Sequence, residues 1–178
     1  MTCAYFCSKP ERNMTTLKSW LSTPYGWLEI TGSELGVRSV LFRDKSGDSS
    51  TDIPDDHPIA EARRQLEAYF AGSLRYFDLK LDWGGAPDFH KQVWAALLEI
   101  PFGKTVSYSD IAERIGHPSA VRAVGMANRS NPMAIVVPCH RVIGKAGELR
   151  GYFYGLDTKM ALLRHENPVR FAEQGELF

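Results

Sequence analysis

The chain has 178 residues, 44% of them hydrophobic, which is enough for one sizeable core or two small ones side by side. Lys and Arg (21) balance Asp and Glu (21), so net charge by itself neither points to nucleic acid nor excludes it. No apolar run approaches the roughly 20 residues that span a bilayer, and three cysteines (Cys3, Cys7, Cys139) cannot all pair within one chain. A membrane span and a disulfide framework are therefore disfavoured, and a reducing compartment is expected: cytoplasm, or nucleus in a eukaryote.

In chain order, the first 16 residues lack a charged start followed by a long apolar region, so residues 1–14 read as a mobile terminus rather than a signal peptide. Thr16–Leu21, Trp27–Thr31 and Val37–Phe42 are short β-branched or aromatic runs separated by Thr-Pro-Tyr-Gly and Gly-Ser-Glu-Leu-Gly, which predicts a β-meander. Asp44–Asp56 is acidic and rich in Ser and Gly, as an exposed loop would be. Pro58 opens a helix with Ile59, Ala62, Leu66, Tyr69 and Phe70 at helical spacing, and Gly72 ends it. Phe77, Leu79 and Leu81 alternate as in a strand, and Trp83–Pro87 marks a domain boundary. The expected organisation is an α/β (α+β) unit over 1–86, a mostly helical unit over 87–168 and a tail over 169–178.

In the second unit, Phe89, Val93, Trp94, Leu97 and Leu98 form one helical face, stopped near Pro101-Phe102-Gly103. Ser107-Tyr108-Ser109-Asp110 has the shape of a capping box and opens Ile111–Ile115. After the turn Gly116-His117-Pro118, Ser119 is expected to cap a second helix through Ala127. Helix, glycine turn and helix are the ingredients of a helix-turn-helix reader, although many αα-hairpins bind nothing. The zero net charge hides an asymmetry here: over 104–150, seven Lys and Arg face three acids, a balance of +4. Phosphate contacts would explain it, and so would an ordinary solvated face.

The apolar run Ala134–Val137 reads as a strand leading into Pro138-Cys139-His140-Arg141-Val142. A cysteine beside a histidine, with His165-Glu166 at the end of a helix beginning near Asp157, suggests a relay: the carboxylate supports the imidazole, which takes the thiol proton. Buried cysteines are often no more than small hydrophobes, and a carboxylate in the last helical turn opposes the helix dipole. Cys139, His140, His165 and Glu166 could also supply zinc ligands, but Cys-His adjacency is poor ligand spacing. No metal is expected.

The stretches VSYSDIA, VRAVGMANRSNP, IVVPCHRV and GLDTKMALLRHE, in this order over 88–167, resemble the active domain of the O6-alkylguanine–DNA alkyltransferases, the methylated-DNA–protein-cysteine methyltransferases. The first half is similar to their RNase-H-like N-terminal unit, and the second to their winged-helix-like, helix-turn-helix catalytic unit. The resemblance implies direct-reversal repair: O6-alkylguanine, mainly O6-methylguanine and by extension O4-methylthymine, is flipped out of double-stranded DNA. Its alkyl group would then pass irreversibly to Cys139 in a single turnover, with no cofactor required. It also implies that His140 acts through a water as base, that Glu166 orients it, and that Tyr108 serves guanine N3. Asn131 would tie the turn before Cys139, Pro138 would stiffen the pocket wall, and the carbonyls of Cys139 and Val142 would accept from the exocyclic amine. Arg122 corresponds to the arginine that fills the vacated stack. Ala123, Gly125 and Ala127 would permit close approach to DNA, with Tyr108, Ser109 and Arg129 on the same face and the helix in the minor groove.

Where the family carries small residues after the pocket tyrosine, this chain has Tyr152-Phe153-Tyr154-Gly155. Phe153 and Tyr154 are expected to narrow the pocket, so that methyl adducts are accepted and benzyl-sized ones are not. The terminal Gln174-Gly175-Glu176-Leu177-Phe178 resembles the motif by which bacterial partners dock on the replication sliding clamp through Gln174, Leu177 and Phe178; packing on the chain's own surface is the alternative. A monomer is expected. A non-catalytic lesion sensor, a transcriptional regulator and a thiol hydrolase are the competing functions. Cys139 argues against the first, no effector motif supports the second, and the third leaves Arg122 and its helix unexplained.

Overall fold

The computed structural model describes residues 16–45 and 52–172. The meander is present: β1 (Leu17–Thr23), β2 (Gly26–Ser33) and β3 (Gly36–Arg43) form an antiparallel sheet in that order. Thr23 pairs with Gly26 and Ser33 with Gly36, so each hairpin closes through two residues. The alternating pattern buries Leu28, Ile30, Val37 and Val40, against which α1 (Pro58–Phe70) packs Ile59, Ala62, Leu66 and Tyr69. Pro58 sits in the first turn of α1, and the His57 side chain accepts from the Ile59 N–H, so the start of this helix is satisfied locally.

Residues 77–81 do not form the expected strand. Leu81 makes one isolated parallel bridge to Val37, with Val37 N–H on Lys80 O and Asp82 N–H on Val37 O, each at 2.8 Å. The Gln65 side chain takes both main-chain groups of Asp78 at 2.9 Å, so at that residue the hydrogen bonds go to an amide rather than to a ladder. The alternation reported burial without pairing. At the contact, a Cβ on Gly36 would lie 2.5 Å from Lys80 O, which only glycine permits.

The second half holds α2 (Asp88–Leu98), α3 (Tyr108–Arg114), α4 (Val121–Arg129), α5 (Leu156–Glu166) and the short α6 (Pro168–Phe171), which continues the fold into the expected tail. A two-residue parallel pair, β4 (Val106–Ser107) with β5 (Val142–Ile143), ties α3 to the Cys139 segment and has no sequence signal. The Ser107–Asp110 capping box forms in both directions. Ser119 does not cap α4: Ala120 occupies that position with no side-chain bond, and the helix runs two residues past Ala127. Trp94 Nε1 donates to Ala127 O at 2.8 Å and locks α4 onto α2.

The Ala134–Val137 run is likewise not a strand. It is a series of tight turns, with only Met133 bridging Val40. Val40 N–H bonds Pro132 O and Ala134 N–H bonds Val40 O, each at 2.9 Å, so the edge of β3 clasps the chain just before the turns. Ile135, at φ 71°, is a β-branched residue in the left-handed region, a strain of about 1–3 kcal/mol that its complete burial must offset. The run is apolar because it is the centre of the molecule. A single cluster of buried residues extends from Leu21 to Leu162 across both halves. Among the described residues, no helix is long and apolar enough to cross a membrane.

Candidate active site

The turns deliver Cys139 onto a short 3-10 turn, Cys139–Arg141, which buries all three of its side chains. Asn131 holds the approach: its Nδ2 donates to Val137 O (2.8 Å) and Met133 O (3.3 Å), and its Oδ1 accepts from Met133 N (3.0 Å). Cys139 is only 4% exposed. Burial pushes its pKa up, while Asn131, Tyr152 and the Lys159 ammonium pull the other way, so the net direction is upward and the resting group is a thiol.

His140 Nε2 donates to Glu166 Oε1 at 2.8 Å. A carboxylate oxygen only accepts, so Nε2 carries the proton of the neutral ring and Nδ1 is the basic nitrogen. Burial lowers the His140 pKa, with Glu166 opposing and Arg141 and Lys159 adding to the fall, so the imidazole is neutral near pH 7. Glu166 also accepts from Arg141 Nε and NH2 (both 2.9 Å), Tyr69 OH (2.9 Å) and Gly103 N–H (3.0 Å). Burial alone would raise this carboxyl, but His140 and then Arg141 hold it well below the usual carboxylate range. Its unfavourable position at the end of α5 is thereby answered. Gly103, at φ 70°, brings its amide to Glu166 where a Cβ would lie 3.0 Å from the Glu166 carbonyl.

Four buried polar atoms of the site meet no hydrogen-bond partner among the described residues: His140 Nδ1, Asn128 Oδ1 and the Tyr152 and Tyr154 hydroxyls. The Tyr152 hydroxyl lies near enough to influence the thiol without reaching good hydrogen-bond geometry. The two expected acceptor carbonyls already have donors: Asn128 Nδ2 on Cys139 O (3.3 Å) and Lys159 Nζ on Val142 O (2.6 Å). Cys139 O also accepts from the Val142 N–H, so both of its lone pairs are engaged. Lys159, buried and pushed down to about 8, also bonds Arg150 O and sits 6.0 Å from the Tyr108 ring. The Tyr108 hydroxyl rests on Arg150 O at 3.3 Å. The free space over Cys139 is about 10 Å³, room for roughly one water, and is walled by Asn128, Arg129, Tyr152, Phe153 and Tyr154. Among the described residues no group of His, Cys, Asp or Glu could hold a metal ion.

Residues 16–83 match the family description "6-O-methylguanine DNA methyltransferase, ribonuclease-like domain", and residues 88–168 match the DNA binding domain of the same family. The chain belongs to the 6-O-methylguanine DNA methyltransferase family. The methylated-DNA–protein-cysteine methyltransferase of Methanosarcina acetivorans is 50% identical over 149 residues, 81% of this chain and 94% of that one. The Mycobacterium tuberculosis O6-methylguanine methyltransferase structure superposes with a TM-score of 0.75 at 43% identity, over 86% of this chain and 94% of that one. A second structure, the M. tuberculosis OGT in complex with DNA, gives 0.74 at 45%, over 84% and 91%.

In this methyltransferase the expected DNA residues divide. Arg122, Ala123 and Arg129 are exposed on α4, Gly125 is half-buried with open space before it, and Met126 beside them is 71% exposed. Ala127 is a correction: it is fully buried against α2 and presents nothing to a ligand. Ser109 bonds the Ser107 hydroxyl at 2.7 Å inside the cap. Sequence reasoning missed Arg141, Tyr69, Asn128, Lys159 and Gly103 as members of the site. Arg141 lay in the quoted motif, and a charged residue flanked by a buried Cys-His pair was the available signal. Asn128 and Lys159 also lay in the stretches VRAVGMANRSNP and GLDTKMALLRHE, whereas Tyr69 and Gly103 carry no signal. The terminal Gln174–Phe178 motif, Cys3 and Cys7 lie outside the described residues.

Proposed function

We propose that this methyltransferase repairs DNA by moving the alkyl group of O6-alkylguanine, principally methyl, from a base flipped out of duplex DNA onto Cys139 Sγ, once per molecule. The buried residues Cys139, His140 and Glu166, the last two hydrogen-bonded, carry the reading, because they supply a nucleophile, a neutral base and a fixed carboxylate in one buried site. The thiol proton leaves by way of a water to His140 Nδ1, and Glu166 stabilises the imidazolium that forms. Sγ attacks the alkyl carbon, the S–C bond forms as the C–O6 bond breaks, and the electron pair passes to O6 and into the guanine ring. Tyr108 donates toward N3 as charge develops there, and the guanine leaves neutral after taking up one proton. Sulfur suits this displacement, since the thiol loses its proton far more readily than a hydroxyl.

Arg122 fills the gap in the stack, Ala123 and Gly125 let α4 approach the backbone, and Arg129 contacts phosphate. Residues 1–86 act as the platform and 87–168 as the catalytic unit. Because a purine far exceeds the free space over Cys139, the exposed rim residue Phe153 gives way when the base arrives, and Tyr154, packed on Phe42 and Tyr152, stays as the wall. We assign the terminal motif to clamp docking by a monomer; deletion of Gln174–Phe178 should abolish clamp binding and leave alkyl transfer intact.

The test is intact mass after incubation with an oligonucleotide carrying one O6-methylguanine, beside Cys139→Ala. A gain of one methyl group in wild type alone supports the function. Tight lesion binding without any gain would favour a sensor instead.

A further inference from the structure

Among the donors to Glu166, one comes from the other half of the chain. We propose that Tyr69, on α1, is a positioning residue for alkyl transfer, its hydroxyl fixing Glu166 and sharing the oxygen that serves His140. The inference rests on the function proposed above and adds a role for the first half that is catalytic in consequence, not only a matter of packing.

Tyr69 is fully buried among the rings of Phe70, Phe77 and Phe102, at centroid distances of 5.2, 5.6 and 6.1 Å. Phenylalanine would suit those neighbours equally well. A buried hydroxyl costs desolvation unless it is bonded, and here its partner is a carboxylate at 2.9 Å, the stronger kind of acceptor. The same residue is gripped a second time: His165 Nε2 donates to Tyr69 O at 2.9 Å. His165 and Glu166 are adjacent, so two hydrogen bonds of opposite sense join the end of α1 to the end of α5.

Oxygen sharing gives the contact its chemistry. Glu166 Oε1 accepts from His140 Nε2, Arg141 NH2 and Tyr69 OH, whereas Oε2 accepts from Arg141 Nε and Gly103 N–H. Every donor on Oε1 draws on the charge that would otherwise act on the imidazole. Removing the tyrosine proton leaves Oε1 to two donors and strengthens its pull on His140, which then holds a proton to higher pH. The charged and titratable groups around His140 are otherwise unchanged: Glu166 and Lys159 from α5, and Arg141 and Cys139 from its own turn.

The experiment compares wild type, Tyr69→Phe and, as a packing control, Phe70→Leu. The His140 ring is titrated by NMR in the DNA-free protein, and single-turnover methyl transfer is followed against pH. Tyr69→Phe should shift the ring titration and the acid limb of transfer upward together by roughly half to one pH unit. Transfer on that limb should therefore slow about three- to tenfold and recover as pH is raised. Phe70→Leu should lower stability and leave both curves in place. Wild-type curves for Tyr69→Phe would overturn the inference. Absence of transfer in wild type would instead overturn the function, and the ring titration would still report on the Tyr69 contact.

Discussion

At the scale of single residues, Glu166 joins more of this site than any other. It neutralises Arg141, fixes the His140 tautomer and receives Tyr69 and the Gly103 amide. Glu166→Gln should have two separable effects. Arg141 becomes a buried cation without a counter-charge, which should lower stability by about 3–5 kcal/mol in denaturant titration. His140 loses its orienting anion, so methyl transfer should slow by roughly a hundredfold or more under conditions where the variant is folded. Loss of stability with an unchanged transfer rate would mean that the carboxylate is structural only. Cys139, His140 and Glu166 were legible in the sequence because adjacent and end-of-helix placements of such groups need a reason. Arg141 was in view but unassigned, since its partner is 25 residues away in sequence and only folding brings the two together.

At the scale of elements, periodicity located the meander and most of the helices, and it failed where apolar residues are buried without regular pairing. Phe77–Leu81 and Ala134–Val137 both read as strands. The first gives the main-chain groups of Asp78 to Gln65 and makes a single bridge to Val37, and the second is folded into turns by Asn131 and the β3 edge. The 152–154 segment was expected to narrow the pocket through Phe153 and Tyr154, and that consequence is testable. Tyr154 packs against Phe42 of β3 at 5.2 Å and against Tyr152 at 5.6 Å, whereas Phe153 is 61% exposed at the rim. Tyr154 is therefore the wall and Phe153 the lip. Wild type should transfer methyl far faster than benzyl from the free O6-substituted bases. Tyr154→Ala should raise the benzyl rate about tenfold, equivalent to removing about 1.4 kcal/mol of steric barrier, with little change for methyl. Equal wild-type rates on the two bases would refute the narrow pocket.

At the scale of the whole molecule, the two halves share one core, and the reactive turn is held from both sides. β3 grips residues 132–134, and α1 grips Glu166. This interface had no signature in the sequence, because each half shows only its own periodicity. It carries a pH dependence of stability. In the folded chain His140 is held neutral and Glu166 charged, so both bind fewer protons than in the unfolded chain. Stability should therefore be full above about pH 6.5 and fall as pH drops, first as the unfolded histidine protonates and again below about pH 4.3 as the unfolded carboxylate does. Thermal unfolding across pH 2–8 should show this decline, and Glu166→Gln should remove its lower part. A flat profile would contradict the buried pair.

The central claim is the transfer of one alkyl group to one sulfur, and peptide mapping tests it most directly. After reaction with excess O6-methylguanine duplex, trypsin should release Ser130–Arg141, whose only cysteine is Cys139. That peptide should carry one added methyl group in every molecule, with the recovered DNA containing unmodified guanine. Methyl found on Cys3 or Cys7, or DNA that keeps its lesion while Ser130–Arg141 stays unmodified, would contradict it.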